Sequence, residues 1–413
     1  MSFLDQPVGR LEIAVSAALA LVGFKIVSHI ALIPHSPENG HLLVSFLAQN
    51  NFLIFGLIGA FLVQAWTLPS RLQYYSVIAL GFASCLFFLL RGAPLSAQMC
   101  ASFLGIASLA VLFFNACVHR GGVRRSYFRD FGAASVVPIC AYLTHPALYL
   151  TYVVKMRSCD ILLYRFDQTL GFQPSILMAR FFISWPIFQY ISRIVYVGLP
   201  AIICVLYAVQ RSEKNVFRVN LLKELGIATV AGFLLYVVIP AAGPIFLLGA
   251  NFPMHPPSPL GINPHQLAVK DAYFNAMPSL HMTWVILLWW NTSSSRFWIR
   301  CLTGFTLAFT VCATLGFGEH YLIDLAVAFP FALTVQAVCL PDVNALQRCR
   351  AAGIGVAMLV VSFFLLKFGV PLFESHTGFS WTFVVAIVVA SSLMAAQVLK
   401  ESVEQGAAKQ SHL

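Results

Sequence analysis

The chain has 413 residues, of which 59% are hydrophobic and only 10% are charged, and its formal net charge is +10. Soluble domains carry about 25% charged residues, so this composition excludes a soluble globular protein and predicts a membrane protein. The apolar runs are continuous rather than alternating, which favours helices over a β-barrel. Because the basic residues gather in short loops between these runs, the positive charge indicates topology and no nucleic-acid partner.

Apolar runs long enough to cross about 30 Å of hydrocarbon follow one another along the chain. We expect an all-α polytopic helix bundle of about twelve spans with a central six-helix core. The predicted spans are 11–33, 42–67, 73–90, 96–118, 131–154, 181–209, 225–248, 276–293, 301–318, 321–340, 353–371 and 380–398. They divide the chain into leading helices (1–130), a core (131–345) and trailing helices with a polar tail (346–413).

The distribution of Lys and Arg predicts that both termini are cytoplasmic. Two long connections then lie on the non-cytoplasmic face, an amphipathic interfacial segment (155–180) and a loop rich in Pro and Asn (250–275). They carry Asp160, Asp167 and Asp271, which can bind a polyol or an acceptor hydroxyl but are expected to be solvated carboxylates. The ten cysteines lie in or beside apolar runs without metal-ligand spacing, so we expect packing residues rather than disulfides or structural zinc.

Two short motifs concentrate the polar chemistry. Met277-Pro278-Ser279-Leu280-His281 opens the eighth predicted span, with Pro278 suited to the first helical position and Ser279 and His281 to the first turn. A helix N-terminus is a favourable site for an anion such as phosphate. A capping serine beside an interfacial histidine explains the same residues without any catalysis.

The second motif joins the ninth and tenth spans. His320 and Asp324 are four residues apart and therefore share one helix face. A carboxylate bonded to one ring nitrogen fixes the tautomer and leaves the other nitrogen available as a nucleophile or base. The alternative is a His–Asp pair whose side chains only satisfy each other's hydrogen bonds and have no catalytic role. The predicted topology brings both motifs to one membrane face, which favours a shared site.

These residues resemble a known family. Pro-Ser-Leu-His, followed by His-Tyr-x-x-Asp, looks like the second and third motifs of the type 2 phosphatidic acid phosphatase superfamily. Leu280 and Tyr321 are most similar to its inositol phosphorylceramide synthase-like branch, and the resemblance covers roughly 131–345, which would be the catalytic core. The resemblance implies that His320 attacks phosphorus, that Asp324 orients it, that His281 is the acid and base, and that Ser279 binds phosphate oxygens. It implies no cofactor and no metal.

The chain departs from the superfamily where phosphate is usually held by cations. The first motif, a Lys followed seven residues later by Arg-Pro, is absent, and the third motif's Ser-Arg is Ala313-Thr314. Thr314 can donate a hydrogen bond but supplies no charge. We therefore add Thr314, Tyr321, Arg193 and Lys270 to the substrate-binding residues. Arg193 is the strongest substitute, because an Arg inside a predicted span needs a buried anionic partner.

The resulting hypothesis is an enzyme, an integral membrane lipid phosphotransferase that works through a phosphohistidine on a phospholipid or sphingolipid. Its active site would lie on the non-cytoplasmic face. A lipid phosphate phosphatase with water as acceptor uses the same residues. A lipid transporter or flippase and a metal site built from His281, His320 and Asp324 are the further alternatives. The sequence does not indicate an oligomeric state.

Overall fold

The computed structural model describes residues 51–66, 70–91, 95–153, 158–212, 219–254, 272–293, 295–340 and 343–411. Helices dominate these residues, as predicted. They are α1 (Asn51–Trp66), α2 (Arg71–Leu90), α3 (Ala97–Val118), α4 (Gly121–Val153), α5 (Asp160–Gln168), α6 (Pro174–Ser184), α7 (Pro186–Ser212), α8 (Leu221–Leu235), α9 (Pro244–Leu248), α10 (Leu280–Asn291), α11 (Phe297–Gly316), α12 (Leu322–Cys339), α13 (Ala345–Phe368), α14 (Val370–Ser375) and α15 (Thr377–Ser411).

Eight of the described helices are long and apolar enough to cross a membrane, namely α2, α3, α4, α7, α11, α12, α13 and α15. This fits an integral membrane protein. The predicted span 11–33 and the first part of 42–67 lie outside the described residues, so the total of about twelve spans stays a prediction, as does the six-helix core. The predicted sides of the two termini likewise remain predictions.

Two predicted spans have a different form. The apolar run 225–248 is divided into α8, a turn and the short helix α9, because Pro240 and Pro244 lack the N–H that a continuous helix requires and Gly243 has a φ of 109°. The run 276–293 contains only the twelve-residue helix α10, which begins at Leu280. The amphipathic segment predicted at 155–180 forms α5 and most of α6 within its described part.

The chain divides into two compact units, Met1–Thr144 with Val197–Asn215 and His145–Tyr196 with Val216–Leu413. In the first unit, α3 packs against both α1 and α2 around buried apolar residues. Gly105 of α3 lies directly against the backbone of α1, where a Cβ atom would be only 1.9 Å from the carbonyl oxygen of Leu57. Glycine therefore permits these two helices to approach closely.

The second unit is organised around α12, which contacts α8, α10, α13 and α15. Its Asp324 and Gln336 lie near opposite ends and are both fully buried. At the Gln336 end, the Asn291 amide donates to Glu224 over 2.7 Å and to Gln336 over 3.2 Å. These polar side chains are buried together and connect α8, α10 and α12. The three-part division predicted from the sequence stays a prediction.

Candidate active site

His320 lies in the loop between α11 and α12 and is only 2% exposed. Its Nδ1 is 2.8 Å from the carbonyl oxygen of Ala276, and its Nε2 is 3.1 Å from the hydroxyl of Ser279. Because a carbonyl can only accept, Nδ1 carries the proton and Nε2 presents its lone pair to Ser279. Burial lowers the pKa of His320 to about 4, so the imidazole is neutral at neutral pH.

Asp324 is close to His320 but is not its main hydrogen-bond partner. Its Oδ2 is 3.6 Å from Nδ1 of His320 and accepts the backbone N–H of Tyr321 over 2.8 Å. The Oδ1 atom is buried without a hydrogen bond among the described residues. The carbonyl of Ala276 therefore fixes the tautomer, while the carboxyl group of Asp324 is placed to interact with positive charge on the ring.

Ser279 joins the two motifs. It is the N-cap of α10, and its hydroxyl accepts the N–H of Met282 over 3.3 Å, which leaves its proton available for His320. Its own N–H lies 3.5 Å from the carbonyl oxygen of Asp324. The prediction that Pro278 occupies the first helical position is wrong, since the helix begins two residues later with Ser279 as the cap.

His281 follows in the first turn of α10. Its ring stacks on Tyr196 of α7 with the centroids 4.2 Å apart, and the Tyr196 hydroxyl is 3.3 Å from Nδ1. The indole of Trp284 also lies close to the His281 ring, with the centroids 5.5 Å apart. The Trp284 N–H is buried without a hydrogen-bond partner among the described residues. Neither Tyr196 nor Trp284 was among the predicted site residues.

Asp160, at the start of α5, is a buried acceptor close to the site. Its carboxylate accepts the N–H of Ala242 at 2.9 Å and that of Gly243 at 2.8 Å. It also accepts the hydroxyl of Tyr321 at 3.0 Å and that of Ser158. Burial raises the pKa of Asp160 despite these hydrogen bonds. Asp160 thus connects α5, the turn before α9 and the residue that follows His320.

Asp167, at the end of α5, supports the same region from a second point. Its carboxylate accepts the N–H groups of Leu322 and Ile323 at 2.8 and 3.3 Å, which caps the N-terminus of α12. Burial raises its pKa to about 8. Asp160 and Asp167 are both fully buried, so their interpretation as solvated carboxylates is wrong. Asp271 lies outside the described residues.

The loop that carries His320 is packed closely against the turn before α9. The N–H of Ile245 donates to the carbonyl oxygen of Gly318 over 2.9 Å. Gly243 has a φ of 109°, and a Cβ atom there would lie 2.4 Å from the carbonyl oxygen of Glu319. A side chain at position 243 therefore conflicts with both the backbone conformation and the position of the loop that carries His320.

The other predicted binding residues have different surroundings. The hydroxyl of buried Thr314 donates to the carbonyl of Thr310 over 2.8 Å. The backbone carbonyl of Thr314 accepts the N–H of His320 over 3.2 Å. Tyr321 is buried and bonded to Asp160, as described above. Arg193 is exposed on α7, so the expected buried anionic partner is absent among the described residues. Lys270 lies outside the described residues.

This geometry places a histidine nitrogen, a hydroxyl and a second histidine around one helix N-terminus, which suits phosphoryl transfer. Residues 161–338 match the family model of the PAP2 superfamily. The matched segment contains both motifs, and together with the membrane-length helices it fits a membrane enzyme of the phosphatase type. The match supports the superfamily, while the inositol phosphorylceramide synthase-like branch stays a prediction. No curated protein and no solved structure gives a significant match.

Proposed function

We propose that the protein is a membrane lipid phosphotransferase in which His320 carries the phosphoryl or phospho-headgroup between two lipids. The arrangement of His320 carries this proposal. Its Nδ1 is bonded to a carbonyl 2.8 Å away, so the Nε2 lone pair faces the Ser279 hydroxyl at 3.1 Å in a buried site. A neutral imidazole held in one tautomer is prepared for nucleophilic attack.

In the proposed first step, Nε2 of His320 attacks phosphorus and the bond from phosphorus to the leaving oxygen breaks. The negative charge of the bound phosphate favours the protonated form of His281, which gives its proton to that oxygen. The phosphorylated ring becomes cationic, and its Nδ1–H stays bonded to the carbonyl of Ala276 beside the Asp324 carboxylate, 3.6 Å away. A negative charge at this distance stabilises the cationic intermediate in a buried site.

In the second step, an acceptor hydroxyl attacks phosphorus while the bond from phosphorus to Nε2 breaks. His281 takes the hydroxyl proton and returns to its starting state. An alcohol on a second lipid gives transfer, whereas water gives hydrolysis. The likeness of Leu280 and Tyr321 to the inositol phosphorylceramide synthase-like branch favours transfer.

Two side chains are proposed to bind the phosphate oxygens in place of the usual cations. Arg193 lies three residues before Tyr196 on α7, so it shares approximately the helix face that stacks on His281. Its exposed side chain can turn toward a bound phosphate. Trp284 offers a buried indole N–H beside His281 that has no acceptor among the described residues, and buried donors normally have one.

The decisive experiment traps the intermediate on the full-length purified protein. A phospholipid with ³²P in its phosphate is added, the reaction is quenched in alkali, and the labelled residue is found by mass spectrometry. A phosphohistidine at 320 that is lost in acid supports the proposal. His320→Asn is expected to abolish this label. His376→Asn, which changes an exposed histidine, is the matched control. Acid-stable label on Ser279 would show that the serine is the nucleophile instead.

Product analysis separates the competing functions. With labelled donor in mixed-lipid nanodiscs, transfer yields a new labelled lipid, whereas a phosphatase releases water-soluble label. A transporter leaves the labelled lipid intact, and His320→Asn then affects movement between leaflets only. For phosphate binding, Arg193→Gln is expected to raise KM more than it lowers kcat, whereas Arg180→Gln, also exposed, is expected to leave both unchanged.

A further inference from the structure

A second polar region of the same unit lies at the other end of the helices that carry the candidate active site. It surrounds a cavity of about 480 Å³ that is lined by α10, α11, α12 and α15. Ser279 is the N-cap of α10 whereas Asn291 ends it, and Arg300 lies fourteen residues before Thr314 on α11. At 1.5 Å per residue, about 20 Å separates this cavity from the level of the candidate active site.

The cavity has two chemically different parts. One wall is apolar and contains Trp289, Leu307 and Phe329. Leu307 and Phe329 lie near the middle of α11 and α12, so this wall extends toward the middle of the bundle. The polar part contains Arg300 and Lys400, both of which are exposed.

The charge of the polar part is positive. Among the described residues, no carboxylate lies within salt-bridge distance of Arg300. Lys400 lies 3.9 Å from Glu404, and both side chains are largely exposed, so this pair is weak. Asn291 also lines the cavity, but its amide is already bonded to Glu224 and Gln336. Arg300 is therefore the main group available to an anion.

We infer that this cavity binds one anionic phospholipid, with an acyl chain against the apolar wall and the phosphate at Arg300 and Lys400. Apolar surface beside a cationic rim matches a molecule that is itself apolar at one end and anionic at the other. Aromatic residues such as Trp289 are typical at the level of lipid headgroups. The bound lipid would be a resident ligand, separate from the substrate at His320.

Native mass spectrometry of the full-length protein, titrated with phosphatidylglycerol, tests this inference. Each basic residue near a headgroup contributes about 1 kcal/mol, so Arg300→Gln is expected to weaken binding about fivefold, and the double variant with Lys400→Gln about thirtyfold. The matched control is Arg350→Gln on α13, an exposed arginine that does not line the cavity. It is expected to leave the affinity unchanged.

The apolar part has a separate test. Ala396→Trp places an indole at an exposed position that lines the cavity and is expected to abolish binding of one phosphatidylglycerol. Leu393→Trp, at an exposed position of α15 that does not line this cavity, is the control. The inference is overturned if phosphatidylcholine of the same chain length binds equally well, or if all variants bind like the wild type. Equal competition by soluble glycerophosphoglycerol or inorganic phosphate would show a simple anion site.

Discussion

The hydrogen bond from Tyr321 to Asp160 gives a quantitative prediction about what supports the loop that carries His320. Tyr321→Phe removes one bond of 3.0 Å between two fully buried residues. A hydrogen bond to a carboxyl group contributes about 1.5 kcal/mol or more, so the free energy of unfolding should fall by at least about 1.5 kcal/mol. Asp160→Ala leaves three buried donors without an acceptor, the N–H groups of Ala242 and Gly243 and the Tyr321 hydroxyl. At about 1–3 kcal/mol each, the loss should reach at least about 3 kcal/mol.

The assay is equilibrium denaturation of the full-length protein in one detergent, followed by circular dichroism for both single variants and the double variant. Once Asp160 is absent, Tyr321→Phe should cost little, because the hydroxyl no longer has its acceptor, so the cycle should show a coupling of about 1.5 kcal/mol. Tyr190→Phe, at a tyrosine that is 66% exposed, controls for loss of a hydroxyl. Additive effects in the double variant, or a Tyr321→Phe protein as stable as this control, would refute the reasoning.

Three further predictions concern the turn before α9, the ionisation of His320 and the packing of the first unit. Gly243→Ala should destabilise the protein by about 2 kcal/mol and reduce turnover, because the added methyl group would lie 2.4 Å from the Glu319 carbonyl oxygen. Gly226→Ala is the control, since its methyl group meets open space and should have little effect. In ¹⁵N NMR spectra of protein with labelled histidine, the His320 ring should stay neutral as the pH falls from 6.5 and should protonate only near pH 4. Protonation of His320 near pH 6.5 would contradict its burial. Gly105→Ala should lower the free energy of unfolding by about 2 kcal/mol, measured by denaturation, since its methyl group would lie 1.9 Å from a carbonyl oxygen of α1.

The helical class and the two motifs were accessible from the sequence because each has a local signal. Long apolar runs predict helices, and the four-residue spacing predicts that His320 and Asp324 lie close together, 3.6 Å apart in the structure. The expected shared helix face is wrong, because His320 lies in the loop before α12 and only Asp324 belongs to that helix. The hydrogen-bond acceptor of the His320 ring could not be predicted from the sequence. It is the carbonyl of Ala276, and any residue supplies a carbonyl, so no residue type marks that position.

The roles of Asp160 and Asp167 were missed for another reason. Their partners are backbone N–H groups about 80 to 160 residues away, which no local pattern reveals. A signal was nevertheless present. Asp160, Leu163, Phe166 and Asp167 are all buried and follow helical spacing, so the two acidic residues belong to the apolar face of α5 rather than to its solvated face.

The shortness of α10 has a consequence for how substrates reach the site. A twelve-residue helix rises only about 18 Å, whereas the hydrocarbon layer is about 30 Å thick. Even an upright α10 therefore leaves at least one of its ends below the headgroup level unless the bilayer thins locally. If that end is the one that carries Ser279, a phosphate must descend along the protein surface to meet His320. Site depth would then favour lipids whose phosphate is joined to the hydrophobic anchor by a short linker.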